Sequence, residues 1–181
     1  FHYGGTLQSP EKNNRGKARV IAHAIKRLIS ESSNVLVMGH RWPDMDSFGS
    51  ALGAYRMCEF MDKDVAIVLE EHNEALDTIY NAVEETEEYK IIKRSKAIDM
   101  VDDKTLLFVV DTNTPGIVEC PELLNLCKKI VVIDHHRKAD DSITATDIEY
   151  VESYASSSSE LITEVLQHFS QKKIISKLDA V

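Results

Sequence analysis

Short, unbroken apolar runs constrain this chain more than any other feature. Val35–Met38, Val65–Leu69, Leu106–Val110 and Ile130–Ile133 are four or five residues each without a polar interruption. Ile148–Val151 is a further segment of strand length, and Tyr89–Lys93 is a shorter candidate. Runs this short and this apolar read as strands buried on both faces. Between them the apolar period lengthens to that of a helix. Val20, Ile21, Ala24, Ile25, Leu28 and Ile29 form a stripe along Arg15–Ser32, and Glu160–Phe169 repeats the pattern near the other end. Phe48, Leu52, Tyr55, Met57, Phe60 and Met61 mark a helix expected to be capped by Ser47 and to end near Asp62. Strands alternating with helices predict an α/β fold, a parallel sheet in three layers with helices on both faces. All strands of such a sheet end at one edge, where open α/β sheets collect ligands.

Three of the runs are followed by residues that seek metal ions. Val35–Met38 leads through Gly39 into His40, Asp44 and Asp46; Leu106–Val110 leads into Asp111, Thr112 and Asn113; Ile130–Ile133 leads into Asp134, His135, His136 and Arg137. Imidazole combined with several carboxylates suits a divalent ion such as Mn²⁺, whereas structural zinc usually takes thiolates. Asp44 and Asp46, expected in a non-helical loop opened by Pro43, repel one another at close range unless cations lie between them. The bland alternative is a polar loop in which Asp46 helps cap a helix and His40 is solvated. A single strand end carrying one Asp would fit that alternative; three strand ends delivering His and Asp to one edge argue for a metal site.

A net charge of −9 argues against a protein that grips duplex nucleic acid through a broad basic face. The stretch from Glu70 to Glu88 carries eight carboxylates and no Lys or Arg, so it reads as a solvated face that repels phosphate. Cys58, Cys120 and Cys127 have no zinc spacing and read as core packing. No stretch approaches the apolar length of a membrane span, so this segment is expected to make no membrane contact. Phe1–Asn14 reads as a linker, and Ile174–Val181 as the start of a helix. Ser156–Ser159 is expected mainly to cap the following helix, with phosphate contact as a second role. His23 reads as a solvated or partly packed helix residue, His72 as titrating in water, and His168 as a surface residue near a helix end.

The segments GHRWPDMDSFGSA, VVDTN and IDHHR, at these separations, resemble the DHH phosphoesterase superfamily, which includes RecJ nucleases, manganese-dependent inorganic pyrophosphatases and nanoRNases. The PDMD loop, ARVIAHAIKRLI and IEYVESYASSSSELITEVL look most like the branch of GdpP-type cyclic-di-AMP phosphodiesterases. The resemblance implies two divalent ions, Mn²⁺ foremost. His40, Asp44 and Asp111 would hold one, and Asp46, Asp111 and His135 the other, with Asp111 bridging. It implies that His136 and Arg137 face the scissile phosphate and that Asp134 orients the histidines. The implied reaction is hydrolysis of a cyclic dinucleotide, cyclic-di-AMP, to linear pApA.

Two departures accompany the resemblance. Trp42 stands where the family often has Asn, and packing on the loop is expected ahead of stacking on a base. A further Asp ligand and the glycine-rich C-terminal domain of the family do not occur before Val181, so the chain is expected to divide into a leader (1–14), a DHH domain (15–173) and the start of a connector (174–181), with impaired turnover in isolation. The family implies a cytoplasmic domain of a membrane-anchored parent, and a homodimer is left open. Two rival readings remain: another DHH hydrolase of nanoRNase or pyrophosphatase type, and a regulatory module that binds metal or nucleotide without catalysis.

Overall fold

The computed structural model describes residues 10–178, with side-chain surroundings for residues 15–169. Six strands form one sheet: β1 (Val35–Met38), β2 (Val65–Val68), β3 (Ile91–Ile92), β4 (Leu106–Val110), β5 (Lys129–Asp134) and β6 (Ile148–Val151). All are parallel, in the order β3-β2-β1-β4-β5-β6. The order reverses direction between β1 and β4, where Val35 lies opposite Leu106 and Met38 opposite Val109. At such a switch point the connections leave in opposite directions and open a crevice beyond the strand ends.

The helices are α1 (Pro10–Glu31), α2 (Met45–Phe60), α3 (Asp77–Thr86), α4 (Arg94–Met100), α5 (Glu122–Leu126) and α6 (Ser158–Leu178). Because side chains alternate along a strand, each unbroken apolar run feeds two cores. Val35, Val37, Phe108, Val110, Val131, Ile133 and Tyr150 pack beneath α1, α2 and α6. Leu36, Met38, Leu107, Val109 and Val132 pack on the opposite face with Ala97 of α4 and Leu123 of α5. The sheet is thus the middle of three layers. The three cysteines are free and buried, as core packing requires. No helix among the described residues is long and apolar enough to cross a membrane.

Several local expectations differ from what is observed. The buried line of α1 is Ala18, Ala22, Ile25 and Ile29, while Val20 is 68% exposed. Two alanines on that line let α1 lie close against its neighbours, which the larger apolar residues alone would not reveal. The helix begins at Pro10, a position where the missing N–H costs nothing, so residues 10–14 are helical; residues 1–9 lie outside those described. Residues 174–178 continue α6, and His168 sits within that helix with its carbonyl accepting from Lys26 Nζ at 2.6 Å. His72 is held by structure, its ring stacked 4.0 Å from that of Tyr80 and its Nε2 3.0 Å from Asp77 Oδ1. His23 is exposed.

Candidate metal centre

The loop after β1 is fastened by the segment 117–119. Arg41 N donates to Ile117 O (2.7 Å) and Glu119 N to Gly39 O (2.9 Å), and His40 pairs with Val118 as an isolated antiparallel bridge. Gly39 is required by close approach, since a Cβ there would lie 2.1 Å from Ser47 Oγ. Asp44, and not Ser47, caps α2: its Oδ1 accepts from Ser47 N at 2.8 Å. The helix therefore starts three residues earlier than the serine suggests, and Asp46 lies in its first turn instead of the loop. The Ser47 hydroxyl is left buried without a partner among the described residues.

Asp111 sits at the end of β4 with φ 60, a left-handed conformation that Asp adopts more readily than most L-residues. Its amide donates to Ile133 O at 3.0 Å, which fixes it to the end of β5. The carboxylate is 1% exposed, and its two oxygens face different neighbours. Oδ2 lies 3.2 Å from His40 Nε2; Oδ1 accepts from Ser158 Oγ at 2.9 Å and lies 3.6 Å from His135 Nε2. Burial pushes the Asp111 carboxyl above its ordinary range; the His40 ring opposes this and the Asp46 carboxylate reinforces it.

His40 Nδ1 donates to Arg41 O at 2.9 Å, which directs Nε2 at Asp111 and, at 3.8 Å, Asp44 Oδ1. The hydrogen bond to Asp111 raises the His40 pKa to about 9 against the opposing effect of burial. From the end of β5, His135 Nε2 lies 3.5 Å from Asp46 Oδ2, and its backbone amide donates to Ser158 Oγ at 3.2 Å. The Asp46 oxygens accept the first amides of α6, from Ser158 at 2.9 Å and Ser159 at 2.8 Å. Burial alone would raise the Asp46 pKa, yet the bonds from Ser159 and Ser158 outweigh it and bring it down. Asp134, fully buried, accepts from Asn113 Nδ2 at 2.7 Å and from His136 Nδ1 at 2.7 Å, turning the far side of that exposed ring outward.

His40, Asp44, Asp46, Asp111, His135 and His136 thus come from three strand ends to one place, with Asp134 beneath them. Two groups could each hold a cation, His40–Asp44–Asp111 and Asp111–His135–His136, and they share Asp111. A buried carboxylate facing an imidazole on each side, with Asp46 close by, is a donor set that divalent cations take. Arg137 is exposed and lines a cavity of about 330 Å³ at the rim with His136, Lys138 and Glu149. Ser158 was legible only as a cap, although its hydroxyl touches both Asp111 and the His135 backbone; so was Asn113 only as a motif letter, although it carries Asp134. Trp42, expected to pack on the loop, is 64% exposed.

The profile of the "DHH family, N-terminal domain" matches residues 34–180. Over 183 residues the chain is 39% identical to the cyclic-di-AMP phosphodiesterase GdpP of Bacillus subtilis and 39% identical to the cyclic-di-AMP phosphodiesterase PdeA of Listeria monocytogenes, in each case covering 98% of this chain and 28% of the relative. It is 32% identical to a membrane protein-large ribosomal subunit bL9 fusion protein of Onion yellows phytoplasma, covering 99% of this chain and 22% of that one. The chain therefore spans less than a third of the length of these relatives. Among solved structures, an exopolyphosphatase-related protein from Bacteroides fragilis superposes with a TM-score of 0.62 at 19% identity, over 83% of this chain and 44% of that one, a likeness of fold. Strand order, the convergence of the three motifs and the profile match agree, and the chain belongs to the DHH family.

Proposed function

We propose that this domain serves a two-metal phosphodiesterase that opens cyclic-di-AMP to linear pApA. The observation that carries the reading is the Asp111 carboxylate, which presents one oxygen to His40 and the other to His135. In this reading His40, Asp44 and Asp111 hold one ion and Asp46, Asp111 and His135 the second, and Mn²⁺ is an ion that the carboxylate-rich donor set suits. When bound, such a pair of ions neutralises phosphodiester charge and makes water a competent nucleophile near neutral pH.

The residues of the chain do the rest. His40 is oriented by the Arg41 carbonyl and His136 by Asp134, so neither ring needs to reorganise on binding. Arg137, exposed at the rim, offsets charge gathering on the phosphoryl oxygens. Water attacks phosphorus, the bond to the 3′ oxygen breaks, and His136 delivers the proton that the departing 3′ oxygen requires. Three relatives of matching sequence are cyclic-di-AMP phosphodiesterases and two are membrane protein fusions, which supports a membrane-anchored parent for this domain. The test is a Mn²⁺-dependent assay of the full-length protein on cyclic-di-AMP, cyclic-di-GMP, pApA and pyrophosphate side by side. Accumulation of pApA from cyclic-di-AMP is expected; faster turnover of pyrophosphate or pApA would reassign the substrate.

A further inference from the structure

The loop between His40 and Asp44 carries a side chain that the fold does not use. Trp42, the one tryptophan of the sequence, is 64% exposed, and its backbone lies at φ 56. A left-handed conformation is an outlier for a bulky residue, and such strain gathers at ligand clamps. Exposure forgoes the burial that an indole would otherwise gain. Strain and exposure thus fall together on a residue placed between two of the proposed metal ligands.

Trp42 walls a pocket of about 250 Å³ with Arg41, Arg94, Glu70, Glu71 and Glu119. The far wall is rigidly built. Arg94 Nη2 pairs with the buried Glu119 at 3.0 Å, the Arg94 amide donates to Glu70 Oε2 at 2.9 Å, and the Glu119 amide is bonded to Gly39 beside His40. The Arg41 guanidinium makes no hydrogen bond or ion pair among the described residues. Two guanidiniums facing three carboxylates leave no net positive charge, so a phosphate is poorly matched to this pocket. An aromatic face, a free cation and carboxylate acceptors suit an uncharged planar ring bearing N–H donors.

We propose that this pocket is a nucleobase subsite of the same centre, with Trp42 as the platform on which a purine stacks while its phosphate lies at His40, Asp44 and Asp111. The proposal rests on the phosphodiesterase reading above. Trp42 is two residues from both His40 and Asp44, so its Cα lies within about 7 Å of theirs, a separation that a nucleotide can bridge between base and phosphate.

A lone tryptophan supplies the probe. The Mn²⁺-saturated chain is titrated with AMP, cyclic-di-AMP and ribose 5-phosphate, following tryptophan fluorescence and calorimetric heat together. The purine ligands are expected to quench Trp42 saturably and ribose 5-phosphate is not. Trp42→Asn, which tolerates the left-handed backbone, is expected to weaken the purine ligands by roughly 5- to 100-fold, and Trp42→Phe by less. Calorimetric binding of cyclic-di-AMP without quenching, or equal weakening of AMP and ribose 5-phosphate by Trp42→Asn, overturns the subsite and leaves the phosphodiesterase reading intact. Absence of calorimetric binding by any nucleotide overturns the subsite, while the phosphodiesterase reading is decided by the assay of the full-length protein. Unchanged nucleotide affinity with altered self-association in Trp42→Asn would assign the indole to a protein contact and overturn the subsite.

Discussion

Asp111→Asn tests the electrical logic of the centre directly. The substitution keeps the shape, tolerates a φ of 60 and removes one charge. In the metal-free domain the Asp111 bond is the largest influence lifting His40 to about 9; relative to an ordinary 6.5, that lift corresponds to roughly 3 kcal/mol. The folded-state value is the higher one, so this stabilisation is fully present below about pH 6.5 and is lost as pH rises through about 9. Occupation of His40 by a cation must release its proton, so metal affinity should rise about tenfold per pH unit across this window, or on the order of a hundredfold from pH 7 to pH 9. The assay is an NMR titration of the His40 ring without metal, joined to calorimetry in buffers of different ionisation heat. In Asp111→Asn the His40 midpoint should fall to near or below 6.5, because burial still disfavours the cation and the facing charge is gone. A wild-type midpoint near 6.5, or an unchanged midpoint in the variant, would refute the reasoning.

Three further outcomes follow from the same geometry. In metal-saturated assays of the full-length protein, Asp111→Ala should remove more activity than Asp44→Ala, since Asp111 belongs to both ligand groups and Asp44 to one; equal losses would count against sharing. Gly53→Ala places a methyl 2.3 Å from Ile162 Cγ2 where α2 crosses α6, and should cost about 1–3 kcal/mol in urea unfolding; an unchanged midpoint would show that the crossing is loose. Manganese-dependent turnover of cyclic-di-AMP by this chain alone should fall well below that of the full-length protein, and comparable rates measured side by side would show that the described centre suffices.

The strands and their parallel arrangement were legible because burial on both faces writes itself into consecutive residues, as in VLVM and LLFVV. The candidate site was legible for a related reason: parallel strands share an edge, so His40, Asp111 and His135 needed only to follow strands in the sequence to meet in space. The cap of α2 was not legible, because a serine before an apolar stripe is an equally good local signal, and the turn at Asp44 belongs to a loop fastened by the pairing of Arg41 with Ile117 and Gly39 with Glu119. Likewise the buried line of α1 depends on which neighbours cover it, so that Ala18 and Ala22 are inside and Val20 is out.

By itself the sequence determined which residues form the sheet and which polar tips lie at its edge, because hydrophobic period and strand direction are local properties. Tertiary structure alone decided how those tips are held. Ser158 reaches Asp46 across 112 residues and Asp111 across 47, Asn113 reaches Asp134 across 21, and none of these contacts leaves a periodic trace. Hydrogen bonds between distant residues depend on strand order and helix placement, and these are fixed only when the two cores close on the sheet.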